Sequence, residues 1–226
     1  MFNNAIISEY KNITSYDVSN YNPISNNKIA IIVETRKLDY LDWVVDTIKH
    51  FIGWEIRFFC SHMNKDMVSG VQKSIIPNKI DYSSIMKDSS FWSDIDQEHI
   101  LVFQHDSFVL REGIDEFLQY DYIGAPWDWS YNNSIDRRYK NLKDFRNGGN
   151  GGFSLRKKSA MLELSSGSFP DYEYEDMYFS NALKNDIPLE IKQKFAVESI
   201  FYENPLGVHK IDKYLSDEQI KKILFK

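Results

Sequence analysis

The sequence predicts one α/β domain built on a mostly parallel sheet, and two observations predict it. Short β-branched runs alternate with segments of helical period through the first half of the chain, the pattern of strands joined by crossover helices. The 226 residues suffice for one large domain with a substantial core and are few for two.

The elements follow in order. Residues 1–27 are polar and rich in Asn, Ser and Tyr, and read as a loosely structured leader or edge segment, leaving 28–226 as the domain. Lys28 to Val33 (KIAIIV) is the first buried strand, with Glu34, Thr35 and Arg36 at its carboxyl end. Leu38 to Phe51 places apolar residues at helical spacing, and Gly53 ends it. Trp54 to Cys60 reads as a second strand and His62 to Gln72 as a helix. Lys73 to Ile80 carries a short strand around Ile75 and Ile76, and Ile100 to Gln104 is the next buried strand. Ligands of such sheets sit at the carboxyl ends of strands, so Thr35, Cys60, Ser61 and Gln104-His105-Asp106 fall along one rim.

The second half changes character. A short helix is expected over Glu112 to Gln119, and a strand at Tyr122 to Gly124 runs into a Pro126-bounded turn with Trp127. Residues 128–146 are polar, aromatic and basic, a long loop and a candidate lid. A strand over Gly151 to Leu155, a helix over Lys157 to Leu164, a helix over Asp171 to Leu183 and a strand over Lys194 to Phe201 follow. Ser216 caps a last helix over 216–224, with Glu218 near capping-box spacing.

Bulk properties exclude several classes. A net charge of −6 argues against a nucleic-acid partner, and the stripe Arg137, Arg138, Lys140, Lys143 and Arg146 reads as a solvated loop face. Cys60 is the only cysteine, so neither an intrachain disulfide nor a thiolate zinc site is expected. The first 27 residues show no secretory signal, and no apolar run reaches the length of a membrane span. The expectation is a cytoplasmic protein without a membrane span.

Four short motifs could carry chemistry. Asp106 ends a buried strand, where an acid must be hydrated, paired or metal-bound; a cation ligand and a turn cap are equal readings from position alone. His105 points to the opposite face and reads as a satisfied core or supporting histidine. Gly148-Gly149-Asn150-Gly151-Gly152 has four glycines in five positions, abuts a strand, and reads as the wall of a cleft. It is not a phosphate-binding P-loop, because no Gly-Lys-Ser/Thr follows. Glu173, Glu175 and Asp176 gather at a helix start; dipole complementation explains an acidic cluster, while a general base needs one carboxylate, and spacing does not choose between Glu175 and Asp176. His209 lies in a loop signal and gains interest only from this context. In this order the motifs suit a metal-dependent enzyme handling a sugar diphosphate.

The runs FQHDSF, YDYIGAPW, NGGNGGFSLR, the Glu175-Asp176 pair, FAVES and GVHK together resemble a family labelled as a domain of unknown function and grouped with GT-A glycosyltransferases, over roughly residues 28–212. The resemblance implies a GT-A-like single domain whose nucleotide-binding sheet is continuous with an acceptor-binding half. It implies a nucleotide-sugar donor, foremost a UDP-sugar, bound along Thr35, Arg36, Ser61, Gln104 and Asp106, with Gly149, Gly151, Gly152 and Trp127 lining the sugar site. It implies Mn²⁺ or Mg²⁺ held by Asp106 and His209, and Asp176 as the catalytic acid of the x-Glu-Asp motif, acting as base on a glycan or other hydroxyl acceptor if the enzyme inverts. One departure stands out: Gln104 occupies the first acidic position of the Asp-x-Asp motif. It is the main support for the alternative, a catalytically silent nucleotide-sugar or glycan-binding module.

Overall fold

The computed structural model describes residues 4–23, 26–128, 149–167, 174–183 and 186–225. Residues 129–148, with the candidate lid, the basic stripe and Gly148, lie outside them, as does Glu173. Among the described residues, six strands form a central sheet in the order β3-β2-β1-β4-β7-β6. These are β1 (Lys28–Val33), β2 (Glu55–Cys60), β3 (Gln72–Ile75), β4 (His99–Phe103), β6 (Tyr122–Gly124) and β7 (Phe153–Lys157). β1 to β4 run parallel, while β7 is antiparallel to both β4 and β6. The sheet is therefore mostly parallel, compatible with a Rossmann-like arrangement, and its order reverses direction between β1 and β4.

Every residue of β1 after Lys28 is buried, because alternate side chains enter two separate apolar layers. Ala30, Ile32, Leu101 and Phe103 face one layer, built on α1 (Ala5–Ile13), α2 (Leu41–Phe51) and α9 (Asp217–Leu224). Ile29, Ile31, Ile100 and Val102 face the other. It is built on α3 (Tyr82–Lys87), α4 (Ser89–Ser93), α5 (Lys158–Ser165) and α6 (Glu175–Ala182). A smaller sheet, ordered β5-β9-β8, joins Ser107–Val109, Gly207–His209 and Ala196–Val197. Among the described residues no helix is long and apolar enough to cross a membrane.

Several elements differ from the sequence expectation. The leader is not loose: Asn4 caps α1 by accepting from Ile6 N at 2.8 Å, and Ile6 and Ile7 enter the core. Such a short helix is stable through docking, not propensity, and α9 supplies part of the dock. Residues 62–66 form turns and 67–68 bends, not a helix. Asn64 explains this: its Oδ1 accepts from Ser61 N at 2.9 Å, and its Nδ2 donates to the carbonyls of Glu34 and Arg36. The strand expected over Lys194 to Phe201 is the end of α7 (Leu189–Phe195) running into the two-residue β8. The last helix does close a capping box on Ser216, but with Gln219 instead of Glu218.

Candidate functional site

Three strand ladders release their chains at one place. Phe103 pairs with Phe153 in the β4–β7 ladder, so Gln104 N donates to Gly152 O at 2.8 Å just beyond it. Ser107 pairs with His209 in the β5–β9 ladder, so Lys210 N donates to Asp106 O at 3.0 Å. Val197 pairs with Val208 in the β8–β9 ladder, which sets Glu198 beside His209. Gln104, Asp106, Gly152, Glu198 and His209 thus converge at the carboxyl end of β4, where the strand order reverses and open α/β sheets bind ligands.

His209 is the hub. It is 1% exposed, and its Nε2 lies 3.3 Å from Asp106 Oδ1 and 3.3 Å from Gln104 Oε1. Its Nδ1 lies 3.1 Å from Glu198 Oε1. Burial lowers its pKa, but the two carboxylates outweigh burial and hold the imidazole above its ordinary value. Burial likewise raises the Asp106 carboxyl, yet the close His209 imidazole, with Lys210 and His105, holds it well below the usual carboxylate range. Asp106 Oδ1 is buried and, despite the close imidazole, makes no hydrogen bond of good geometry among the described residues. One acid oxygen, one amide oxygen and one imidazole nitrogen therefore face each other, a donor set that fits Mn²⁺ better than the all-oxygen preference of Mg²⁺. Among the described residues no group of three or more His, Cys, Asp and Glu side chains is placed to hold a metal, and Gln104 is not one of those residue types.

The glycine run is required by packing. A Cβ on Gly152 would lie 2.2 Å from His209 Nε2, and one on Gly151 would lie 2.1 Å from Glu175 Oε1. Gly149 donates to Ser180 Oγ at 3.1 Å, and its carbonyl accepts from Tyr122 OH at 2.7 Å, tying the run to α6 and β6.

Asp176 sits on the same wall. Its Oδ2 accepts from Gly151 N at 3.2 Å and its Oδ1 from Met177 N at 2.8 Å. Burial, reinforced by the Glu175 charge and only partly offset by the Gly151 N–H, pushes its carboxyl up to about 7. The structure separates the two acids that spacing left open. Glu175 is buried and bound through both oxygens by Arg156, at 2.8 and 3.1 Å. Arg156 is itself fully buried, with its guanidinium 4.6 Å over the Tyr122 ring. Glu175 is thus held in the core by Arg156, whereas Asp176 is half-buried and its carboxylate accepts from backbone N–H groups.

The β1 rim divides. Arg36 reaches outward, 62% exposed, while bonding Glu34 through its backbone N, Nε and Nη2. Thr35 Oγ1 donates to Asn78 O at 2.9 Å. Ser61 is turned inward: it is fully buried, with its hydroxyl 3.0 Å from both Thr35 O and Asn64 Oδ1. It holds the loop and does not line the rim. His105 Nδ1 pairs with Tyr40 OH at 2.8 Å, a satisfied histidine beside Asp106. Trp127 is half-buried, and the next residue, Asp128, donates its N–H to Ser199 Oγ at 2.8 Å, one residue past Glu198.

Sequence reasoning did not single out Glu198, Asn150, Arg156 or Tyr82. Glu198 follows the apolar pair Ala196-Val197, the same acid-after-strand signal that marked Asp106. The Tyr82 hydroxyl is buried with no hydrogen-bond partner among the described residues. Burial raises its pKa, Glu175 and Asp176 raise it further, and Arg156 and the nearby Gln104 side chain lower it, so the hydroxyl lies beside the same cluster.

Fold and site together define a mixed α/β domain with a carboxylate–imidazole cluster at the reversal point of its sheet. Residues 66–209 match the family model described as Protein of unknown function (DUF5672), and the chain belongs to that family. The match runs through Gln104 to His209 and so takes in the whole cluster, while β1 and Arg36 lie outside it. A search of curated proteins gives no match.

Proposed function

We propose that the protein is a GT-A-type glycosyltransferase that moves a sugar from a nucleotide-sugar donor, foremost a UDP-sugar, to a hydroxyl on a glycan or other acceptor. One observation carries the reading. An acid whose pKa is pushed up to about 7 lies one glycine from a buried Asp106–His209–Gln104 cluster, at the ligand-binding end of the sheet. A base is most effective when its pKa lies near working pH, and the cluster is the part suited to a diphosphate.

Asp106 and His209, with Gln104 beside them, would hold Mn²⁺ or Mg²⁺, which supplies charge neutralisation and Lewis acidity toward a diphosphate leaving group. Arg36, exposed at the end of β1 with its Nε and Nη2 on Glu34, offers Nη1 and its positive charge to phosphate oxygens. Asp176 accepts the proton of the acceptor hydroxyl as that oxygen bonds to the anomeric carbon. The bond from that carbon to the nucleoside diphosphate breaks on the opposite face, so the configuration inverts. Gly151 N–H holds the carboxylate in place for this step.

The test is donor hydrolysis and transfer across UDP-, GDP- and dTDP-sugars, with Mn²⁺, with Mg²⁺ and with EDTA. Release of one nucleoside diphosphate, lost in EDTA, is the expected result. No turnover and no nucleotide binding by calorimetry would sink the proposal. Tight binding without turnover would favour the second reading, a silent nucleotide-sugar or glycan-binding module, to which the neutral Gln104 lends support.

A further inference from the structure

We propose that Glu198, anchored by Asn150, is a positioning residue that holds His209 as the Nδ1–H tautomer and leaves Nε2 open toward Asp106 and Gln104. The proposal rests on the cation reading of that cluster, and its test is arranged so that the two can fail separately.

The argument starts from donors and acceptors. A neutral imidazole has one N–H and one lone pair, and the partner of one nitrogen decides the role of the other. Glu198 Oε1, 3.1 Å from Nδ1, is an acceptor and calls for a proton there. Nε2 then presents its lone pair to Asp106 Oδ1 and Gln104 Oε1, both acceptors at 3.3 Å. Three electron-rich atoms facing one another are stable only with something electron-poor between them, a proton or a metal cation. The imidazole is therefore aimed as a ligand by the acid behind it.

Glu198 is itself held. It is 3% exposed, and the same Oε1 accepts from Asn150 Nδ2 at 2.9 Å. Asn150 Oδ1 accepts from Gly152 N at 2.7 Å, so the chain of bonds ends in the glycine wall against which the His209 ring packs. The ring packs directly on Gly152, and the β8–β9 register keeps Glu198 behind it. Asn150 thus has a task the neighbouring glycines lack: it ties the acid to the wall.

The experiment uses the full chain with ¹⁵N-labelled histidine. Long-range ¹H–¹⁵N correlations assign the His209 tautomer with saturating Mg²⁺, a diamagnetic cation that takes the place of a proton at Nε2, and calorimetry measures Mn²⁺ affinity. Wild type should show Nδ1–H. Glu198→Gln, whose amide can also donate, should lose that single tautomer and bind Mn²⁺ about 10- to 100-fold more weakly. A role in packing alone would not move the tautomer. A Glu198→Gln protein with the wild-type tautomer and wild-type Mn²⁺ affinity overturns the proposal. The wild-type spectrum needs no variant, so it decides even if Glu198→Gln does not fold: an Nε2–H ring overturns it. If wild type shows Nδ1–H but binds no Mn²⁺, the positioning role stands and the cation reading of the cluster falls.

Discussion

Asp176→Asn should stabilise the protein while abolishing transfer, and the gain should depend on pH. The carboxyl is raised in the fold from its ordinary 3.8 to about 7, by burial and by the Glu175 charge. At about 1.4 kcal/mol per unit, a shift of roughly three units corresponds to about 4 kcal/mol. Below about pH 4 the acid is protonated in both folded and unfolded chains, and this contribution to stability is fully present. Between about pH 4 and about pH 7 only the unfolded chain ionises, so wild-type stability declines as pH rises. Above about pH 7 both states are ionised and the loss is complete. The asparagine carries no charge, so it escapes this decline. One amide oxygen cannot accept from both Gly151 and Met177 N–H groups, which removes about 1 kcal/mol of the gain. Urea unfolding of both proteins in EDTA should therefore show the variant about 1 kcal/mol less stable at about pH 4 and about 3 kcal/mol more stable above about pH 7. Taking the difference between the two proteins cancels every other titrating group. In the transfer assay, wild-type kcat should rise through about pH 7, and the variant should lose about 10²- to 10⁴-fold. Parallel stability curves across the whole pH range would refute the account of Asp176.

Other perturbations test the supporting parts. Gly152→Ala forces a methyl into the His209 ring and should lower Mn²⁺ affinity by calorimetry while destabilising the fold by about 1–3 kcal/mol in urea. Glu175→Gln leaves Arg156 charged and buried and should cost about 3–5 kcal/mol. Pairing it with Arg156→Met should restore most of the loss, and an undamaged single variant would show that the pair is not the anchor described. Tyr82→Phe removes a buried hydroxyl that has no partner among the described residues, so thermal unfolding should show equal or higher stability. A parallel rise in KM for the donor would identify that hydroxyl as a ligand contact.

Much of the framework is legible because its signals are local. KIAIIV reads as a strand buried on both faces, and Ile100 to Phe103 likewise, because each run is apolar apart from Lys28, rich in β-branched or aromatic residues and short for a helix. The period of α2 and the cap of α9 are written within a turn or two. The misreadings occur where one side chain or one distant surface outweighs local pattern. Asn64 bonds three backbone groups and turns a helical-looking segment into a loop. The first helix exists because Ile6 and Ile7 find a core whose other parts lie far along the chain. Reading Lys194 to Phe201 as one strand makes Glu198 a mid-strand residue and hides an acid that stands just past the end of β8.

The sequence by itself determined which residues are unusual for their place: an acid closing a buried strand at Asp106, dense glycines before β7, and acids opening α6. It left Glu175 and Asp176 equivalent, and it gave His209 no partner. Tertiary structure decided both. Arg156 takes Glu175 into the core and leaves Asp176 on the Gly151 wall, a choice made by burial, not by spacing. The registers Phe103 with Phe153, Ser107 with His209 and Val197 with Val208 then bring Gln104, Gly152, Asp106, Glu198 and His209 together. A strand's alternation states which face each side chain takes, but not which strand lies beside it or in what register. Those are settled only when the whole sheet closes over both apolar layers at once.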